Sequence, residues 1–187
     1  MKAWGHASWG VGSTYQNGPL LLAGGYSRTD APLTDMGTSL TPLTVASDNK
    51  LSIWSLGGWY TLPGNFRLMG FVHSQTLDAY GSLATPAIGT ERDREVVDTL
   101  LGMSWGIGPT VLKASYVVRN DKGVENADSR QISLGVAYNL SRRTAIYTTF
   151  VDFDNKNTAA YNFISSGFAP VAGGSARALQ AGIAHNF

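Results

Sequence analysis

One short pattern in the sequence could activate a nucleophile. Residues 102–106 are Gly-Met-Ser-Trp-Gly, which matches the Gly-x-Ser-x-Gly pattern of many hydrolases. That chemistry needs a strand, a sharp turn and then a helix, because this arrangement exposes the serine hydroxyl to the substrate. Here Gly108 and Pro109 instead turn the chain toward another strand-like segment. We therefore interpret Ser104 as a strand residue and predict that the chain carries no catalytic residue.

The histidines and one acidic pair are the possible metal ligands. His6, His73 and His185 lie far apart, and none has a second histidine at the spacing that a shared strand or helix face requires. Asp152 and Asp154 begin like a calcium-binding loop, but the glycine and glutamate that complete such a loop are missing. The sequence has no cysteine. We predict neither a metal nor a cofactor.

The composition is unusual for a soluble domain and excludes some partners. Charged residues make up 14 % of the chain, against ~25 % in typical soluble domains. The net charge of +1 provides no basic field for nucleic acid. No apolar run is long enough for a transmembrane helix, and residues 1–8 lack the apolar core of a signal peptide.

Residues 178–187 alternate in a way that is typical of a β-strand. Every second residue falls on one face, because side chains along a strand point to opposite sides in turn. That face carries Leu179, Ala181, Ile183, His185 and Phe187. The other face carries only small or polar residues, so one side of this segment is apolar and the other is not.

Nine segments show this strand character, and short turns alternate with long loops between them. We predict the strands at residues 7–16, 19–28, 51–62, 66–77, 96–106, 110–119, 131–140, 144–154 and 178–187. Lengths of about 9–12 residues suffice to cross a bilayer at a tilt. Short turns on one side and long loops on the other are typical of outer-membrane barrels. The fold class predicted is therefore an all-β transmembrane antiparallel β-barrel.

Aromatic residues near the short turns fit the same prediction. We expect them to form an aromatic girdle at the membrane interface. They are Tyr15, Tyr60, Trp105 and Tyr138.

Several stretches resemble one family, the general porins of Gram-negative bacteria of the neisserial and β-proteobacterial type. Residues 135–144 look like that family's penultimate periplasmic turn, and residues 152–157 look like the end of its following strand. Residues 181–187, Ala-Gly-Ile-Ala-His-Asn-Phe, look like its C-terminal strand. The hairpin at residues 17–20 also fits.

The resemblance implies a fold, a function and partners. Residues 1–187 would be the C-terminal part of one sixteen-stranded porin domain, with the N-terminal strands, the constriction loop and a signal peptide lying outside the chain. The protein would allow passive diffusion of small hydrophilic solutes and ions across the outer membrane. We expect contacts with outer-membrane lipid and lipopolysaccharide, a homotrimer, and recognition of the terminal strand by the outer-membrane assembly machinery.

Polar residues opposite an apolar face are the candidates for lining the pore. We predict this role for Arg67, His73, Lys113, Arg119, Gln131 and Gln180. In the family, basic wall residues face acidic residues of the constriction loop, and Arg67 and Lys113 are the candidates for this. The phase of residues 66–77 is ambiguous because Met69 and Phe71 share it, and residues 144–154 carry aromatics in both phases. The charged residues 91–95 are expected to be solvated at the level of lipopolysaccharide.

Two other functions are compatible with parts of the pattern. A non-conducting structural or adhesive outer-membrane barrel would need a filled interior, whereas the predicted inner face is rich in small residues. A soluble β-sandwich binding module would place the aromatics in a core, but sandwich strands usually have only ~5–6 residues. Heat-dependent gel mobility would separate the membrane proteins from the sandwich.

Overall fold

The computed structural model describes residues 7–30, 50–78, 94–123, 126–162 and 171–187, which form nine β-strands. The strands are β1 Ala7–Asn17, β2 Leu20–Asp30, β3 Lys50–Leu62, β4 Phe66–Asp78, β5 Arg94–Ile107, β6 Thr110–Asp121, β7 Ser129–Asn139, β8 Thr144–Asn155 and β9 Ala176–His185. In these ranges no helix is long and apolar enough to cross a membrane. The predicted all-β architecture is confirmed.

All nine strands belong to one antiparallel sheet in which neighbours in sequence are neighbours in space. In the described part of the chain, β1 and β9 each pair with a single neighbour, so the sheet is open at both edges. Because the strands form one sheet and not two packed layers, the β-sandwich alternative is wrong.

The four predicted short turns are confirmed, and local chemistry explains them. Gly18 and Gly108 adopt φ values of 53° and 56°, a left-handed conformation that glycine reaches without steric cost. At the last short turn, the hydroxyl oxygen of Ser141 accepts hydrogen bonds from the backbone N–H groups of Arg143 and Thr144, both at 3.1 Å. A side chain therefore closes the turn that lacks glycine.

The terminal strand differs from its prediction at both ends. It runs Ala176–His185, not 178–187, so Phe187 follows the strand. The reason is the length of its neighbour: β8 begins at Thr144, whose partner in β9 is His185. Past that point one backbone bond remains, from the N–H of Asn186 to the carbonyl of Arg143 at 2.9 Å.

The sheet has an apolar face, which we call the outer face. Large side chains are exposed along it, such as Leu101 at 63 %, Leu134 at 51 % and Leu179 at 74 %. The alternation of apolar residues along β7 and β9 predicts that six of them face lipid, and the cross-strand register places all six on this side: Ile132, Leu134, Val136, Leu179, Ala181 and Ile183. So large an apolar surface is stable only against an apolar medium, as expected for lipid.

Aromatic residues lie at both ends of the outer face. The predicted turn-side girdle is exposed there and consists of Tyr15, Tyr60, Trp105 and Tyr138. A second group lies at the loop side of β1 to β3, where the rings of Trp9 and Tyr26 are 5.3 Å apart and Trp54 is exposed. Two aromatic bands that flank an apolar zone fit the two interfaces of a bilayer.

Two members of the charged cluster at residues 91–95 are described, and their side chains are partly exposed, as predicted, but also form ion pairs. Arg94 and Glu95 begin β5 and pair with the end of β6. The Nε of Arg94 donates to Asp121 Oδ1 at 3.2 Å, and Lys122 Nζ donates to Glu95 Oε1 at 2.9 Å. Asp121 has no exposed surface. These charges therefore join two strands, while residues 91–93 lie outside the described residues.

The assignment of faces can be tested with one matched pair of substitutions. Leu134→Arg should reduce the free energy of folding into a bilayer by ~2–4 kcal/mol, because it places a charge against lipid near mid-strand. Ser133→Arg, one residue away on the other face, should cost little. Urea titration of the bilayer-folded protein measures both. Equal losses would show that the faces are wrongly assigned.

Candidate functional site

The face opposite the outer face, here called the inner face, is organised in rows that cross the strands. One row towards the short turns is mostly polar, and we call it the turn-side row; on β5 to β9 a further row, Gly106 to Gly182, lies between it and the turns. The turn-side row joins Thr61, Arg67, Ser104, Lys113, Gly135, Thr149 and Gln180 through successive strand pairs. Each member aligns with the next because antiparallel partners point to the same side of the sheet.

The next two rows toward the loops carry an apolar strip, which we define as Leu21, Trp59, Met69, Phe71, Leu100 and Val117. Trp59 and Phe71 are exposed at 38 % and 41 %. The inner face was predicted to be rich in small residues, and the strip interrupts it with large apolar side chains. The sequence contained a signal for this strip, because Arg67, Met69 and Phe71 occupy every second position along one strand and therefore lie on the same face.

A second polar row, the loop-side row, follows beyond the strip and joins Ser55, His73, Asp98, Arg119, Ser129 and Asn155. His73 Nδ1 is 3.0 Å from the hydroxyl oxygen of Ser55, and its ring stacks on Phe71 at 6.1 Å. Arg119 lies 3.5 Å from the Asp98 carboxylate. This row therefore contains both signs of charge.

The six residues predicted to line the pore share this inner face. Arg67, Lys113 and Gln180 lie in the turn-side row, His73 and Arg119 lie in the loop-side row, and Gln131 lies between them. Sequence reasoning missed two residues that contact Arg119. The alternation of side chains along β5 could have placed Asp98 on the inner face. Tyr161 lies in a loop, where no such alternation exists.

Two cations of the turn-side row have no carboxylate partner among the described residues. Arg67 Nε donates to the Thr61 hydroxyl at 3.2 Å, and its guanidinium lies 5.3 Å from the centre of the Trp59 ring. Lys113 is exposed, two strands from Arg67 in the same row. Within the described ranges neither cation forms an ion pair. The turn-side row is therefore positively charged.

Asn155, at the end of β8, holds part of the following loop against the inner face. Its side-chain oxygen accepts from the Tyr161 N–H at 3.2 Å, and its side-chain nitrogen donates to the carbonyls of Tyr161 and Gly174 at 3.0 and 2.8 Å. The Tyr161 ring consequently lies 4.9 Å from the Arg119 guanidinium. A cavity of about 360 Å³ surrounds this contact.

The other residues considered for chemistry lie in structural positions. Ser104 sits inside β5 in the turn-side row, not on a strand-to-helix turn. Asp152 pairs with Arg177 at 3.3 Å. His185 contacts the Thr144 hydroxyl at 2.8 Å and packs on Phe187. Within the described ranges, no three potential metal ligands lie together.

The role of Asn155 as the clamp of this loop can be tested directly. Asn155→Ala removes three hydrogen bonds and should destabilise the closed loop by ~1–3 kcal/mol. Hydrogen exchange of residues 156–162 should then accelerate, while exchange in β7 stays unchanged. Asn120→Ala is the matched control, because Asn120 is exposed and its side chain makes no hydrogen bond to the described residues. Equal acceleration in both variants would contradict the clamp.

Comparison with known proteins agrees with this geometry. A family model of Gram-negative porins matches residues 4–158. The chain is 24 % identical to outer membrane porin protein 32 of Delftia acidovorans over an alignment of 177 residues. This alignment covers 92 % of this chain and 44 % of that protein.

Solved structures give the same result. An anion-selective porin from Comamonas acidovorans superposes with a TM-score of 0.76 at 25 % identity, over 96 % of this chain and 49 % of that one. OmpT of Vibrio cholerae, at 15 % identity, shares the fold with a TM-score of 0.64, over 96 % of this chain and 56 % of that one. The chain thus spans about half the length of these relatives. Since the family match covers most of its residues, this chain belongs to the Gram-negative porin family of outer-membrane β-barrel proteins.

Proposed function

We propose that this chain forms part of the wall of a pore through which small hydrophilic solutes and ions diffuse passively across the outer membrane. The observation that carries this proposal is the division of one sheet into an apolar outer face and an inner face with two polar rows. In such a pore, the width and the charge of the wall determine which solutes pass. The six inner-face residues named above would then line the lumen.

We propose further that these nine strands belong to a larger closed barrel. An open edge leaves backbone N–H and C=O groups unpaired, and each such group costs several kcal/mol in hydrocarbon. In a strictly alternating sheet of nine strands, β1 and β9 run in the same direction and cannot pair antiparallel with each other. An odd number of additional strands between them would give an even, fully paired barrel. The greater length of the relatives supports this arrangement.

We infer that the pore favours anions. Arg67 and Lys113 place two positive charges in one row of the inner face, and no carboxylate within the described ranges pairs with them. A positive wall attracts anions and repels cations. The relative from Comamonas acidovorans is described as anion-selective, which supports the same preference.

The ion selectivity of the assembled pore tests both the proposed channel function and the proposed effect of its positive wall. Replacing Arg67 and Lys113 by Gln should lower the anion-to-cation permeability ratio by about threefold, because the wall loses two charges. Reversal potentials in planar bilayers under a potassium chloride gradient measure this ratio. The control is the double variant Arg142→Gln and Arg143→Gln, which removes two charges from an exposed turn. Membrane insertion without conductance would instead favour the non-conducting barrel.

We propose that the terminal strand is the segment read by the outer-membrane assembly machinery. Leu179, Ala181, Ile183 and His185 share the outer face, and the edge of β9 is unpaired among the described strands. Phe187 follows with its side chain fully exposed and its ring 4.9 Å from that of His185. An exposed edge with a terminal aromatic is accessible to a partner strand.

Deletion of Phe187 should lower the amount of protein inserted in the outer membrane several-fold. Phe187→Tyr keeps the ring and should retain most of the insertion. Membrane fractionation with a heat-modifiability gel measures folded, inserted protein for both. Unchanged insertion after the deletion would show that the terminal ring has no role in assembly.

We also propose two partners. The first is the lipid headgroups and lipopolysaccharide, which would contact the loop side of the outer face. The second is two further copies of the protein in a homotrimer, which is proposed from family membership. Support for the first comes from ion pairs at that level, where Arg28 pairs with Asp30 and Arg177 with Asp152, each at 3.3 Å. Such a charged band beyond an apolar zone matches the polar headgroup region.

A further inference from the structure

The apolar strip on the inner face is unexpected in a pore wall that touches only water and small ions. Its side chains lie low against the sheet, because two glycines leave room beneath them. A Cβ atom at Gly57 would lie 2.8 Å from the Phe71 ring, and one at Gly102 would lie 2.8 Å from Met69 Cγ. The strip is therefore a flat apolar floor, not a set of projecting side chains.

The floor borders a cavity of about 570 Å³ that is open to one side. Leu21, Trp59, Met69, Phe71 and Leu100 line it, together with small residues of β1 and β2. Sites for small organic ligands have volumes of this order and are lined mainly by apolar and aromatic side chains. The cavity thus has room for a planar ring that lies against Phe71 and Leu100, beside Trp59.

The turn-side border of the strip is positively charged and preorganised. The contacts of Arg67 with Thr61 and the Trp59 ring fix its guanidinium directly beside the floor. Lys113 lies along the same row. A guanidinium held in place binds a carboxylate in a two-pronged geometry with little loss of side-chain freedom.

From this juxtaposition we propose that the inner face binds amphipathic organic anions, specifically aromatic monocarboxylates. The ring lies on the apolar strip, and the carboxylate accepts hydrogen bonds from Arg67 and Lys113. The inference deepens the proposed channel function by naming a solute class that the wall recognises during passage. It requires both features, since a cation alone would bind acetate equally well.

Binding of benzoate to the folded protein in detergent micelles tests this proposal without any need for conduction. Saturation-transfer NMR should detect benzoate binding, with acetate as the probe that lacks the ring. We expect Arg67→Gln to weaken benzoate binding about tenfold, the loss typical of one charge-assisted hydrogen bond. Arg142→Gln removes the same charge from an exposed turn and should leave binding unchanged.

A second variant tests the floor independently of the charge. Phe71→Ser should weaken benzoate binding and leave the weak binding of acetate unchanged, and a heat-modifiability gel confirms that each variant is folded. Equal affinities for benzoate and acetate would overturn the proposal, as would equal losses in Arg67→Gln and Arg142→Gln. Charge-dependent benzoate binding, together with an assembled barrel that inserts in membranes without conducting, would support this inference while refuting the channel function.

Discussion

The continuous antiparallel hydrogen-bond ladder from β1 to β9 is the constraint on which the rest of the structure depends. Hydrocarbon offers no water to an unpaired backbone group, so each strand that crosses it must pair with neighbours on both sides. The ladder also sets the register, and a slip of one residue would move every side chain of a strand to the opposite face. The separation of an apolar outer face from an inner face with charged rows therefore follows from backbone pairing.

The register has a second consequence, because it aligns residues that are far apart in sequence. Arg67 and Lys113 lie on different hairpins, yet they occupy one row and give it a positive charge. Trp59 and Phe71 lie in adjacent rows of the same face, with the Phe71 ring above Gly57. Such rows give the inner face bands of different chemistry between its turn side and its loop side.

Side chains secure the loop side of the sheet, where the ladder ends. Arg94 and Asp121 connect β5 to β6, and Asn155 connects β8 to the loop that follows. The buried Asp121 is stabilised by a guanidinium and by a backbone N–H of Gly123, since an unpaired buried charge would be costly. Through Asn155 the fold also places Tyr161 against Arg119, which connects a loop to the candidate lumen.

The sequence by itself determined the nine strands, the four short turns and the faces of β7 and β9. These features are local, because side-chain alternation and turn residues act over a few positions. It also predicted six inner-face residues. Alternation places Lys113, Arg119, Gln131 and Gln180, whereas Arg67 and His73 needed the register of β4, because Met69 and Phe71 share their phase. Only the tertiary structure decided the phase of β8, where Phe150 faces outward while Tyr147 lies over Gly182 on the inner face. The rows of charge, the apolar strip and the Tyr161 contact were likewise beyond the sequence, because they arise from cross-strand register and loop folding between residues that are distant along the chain.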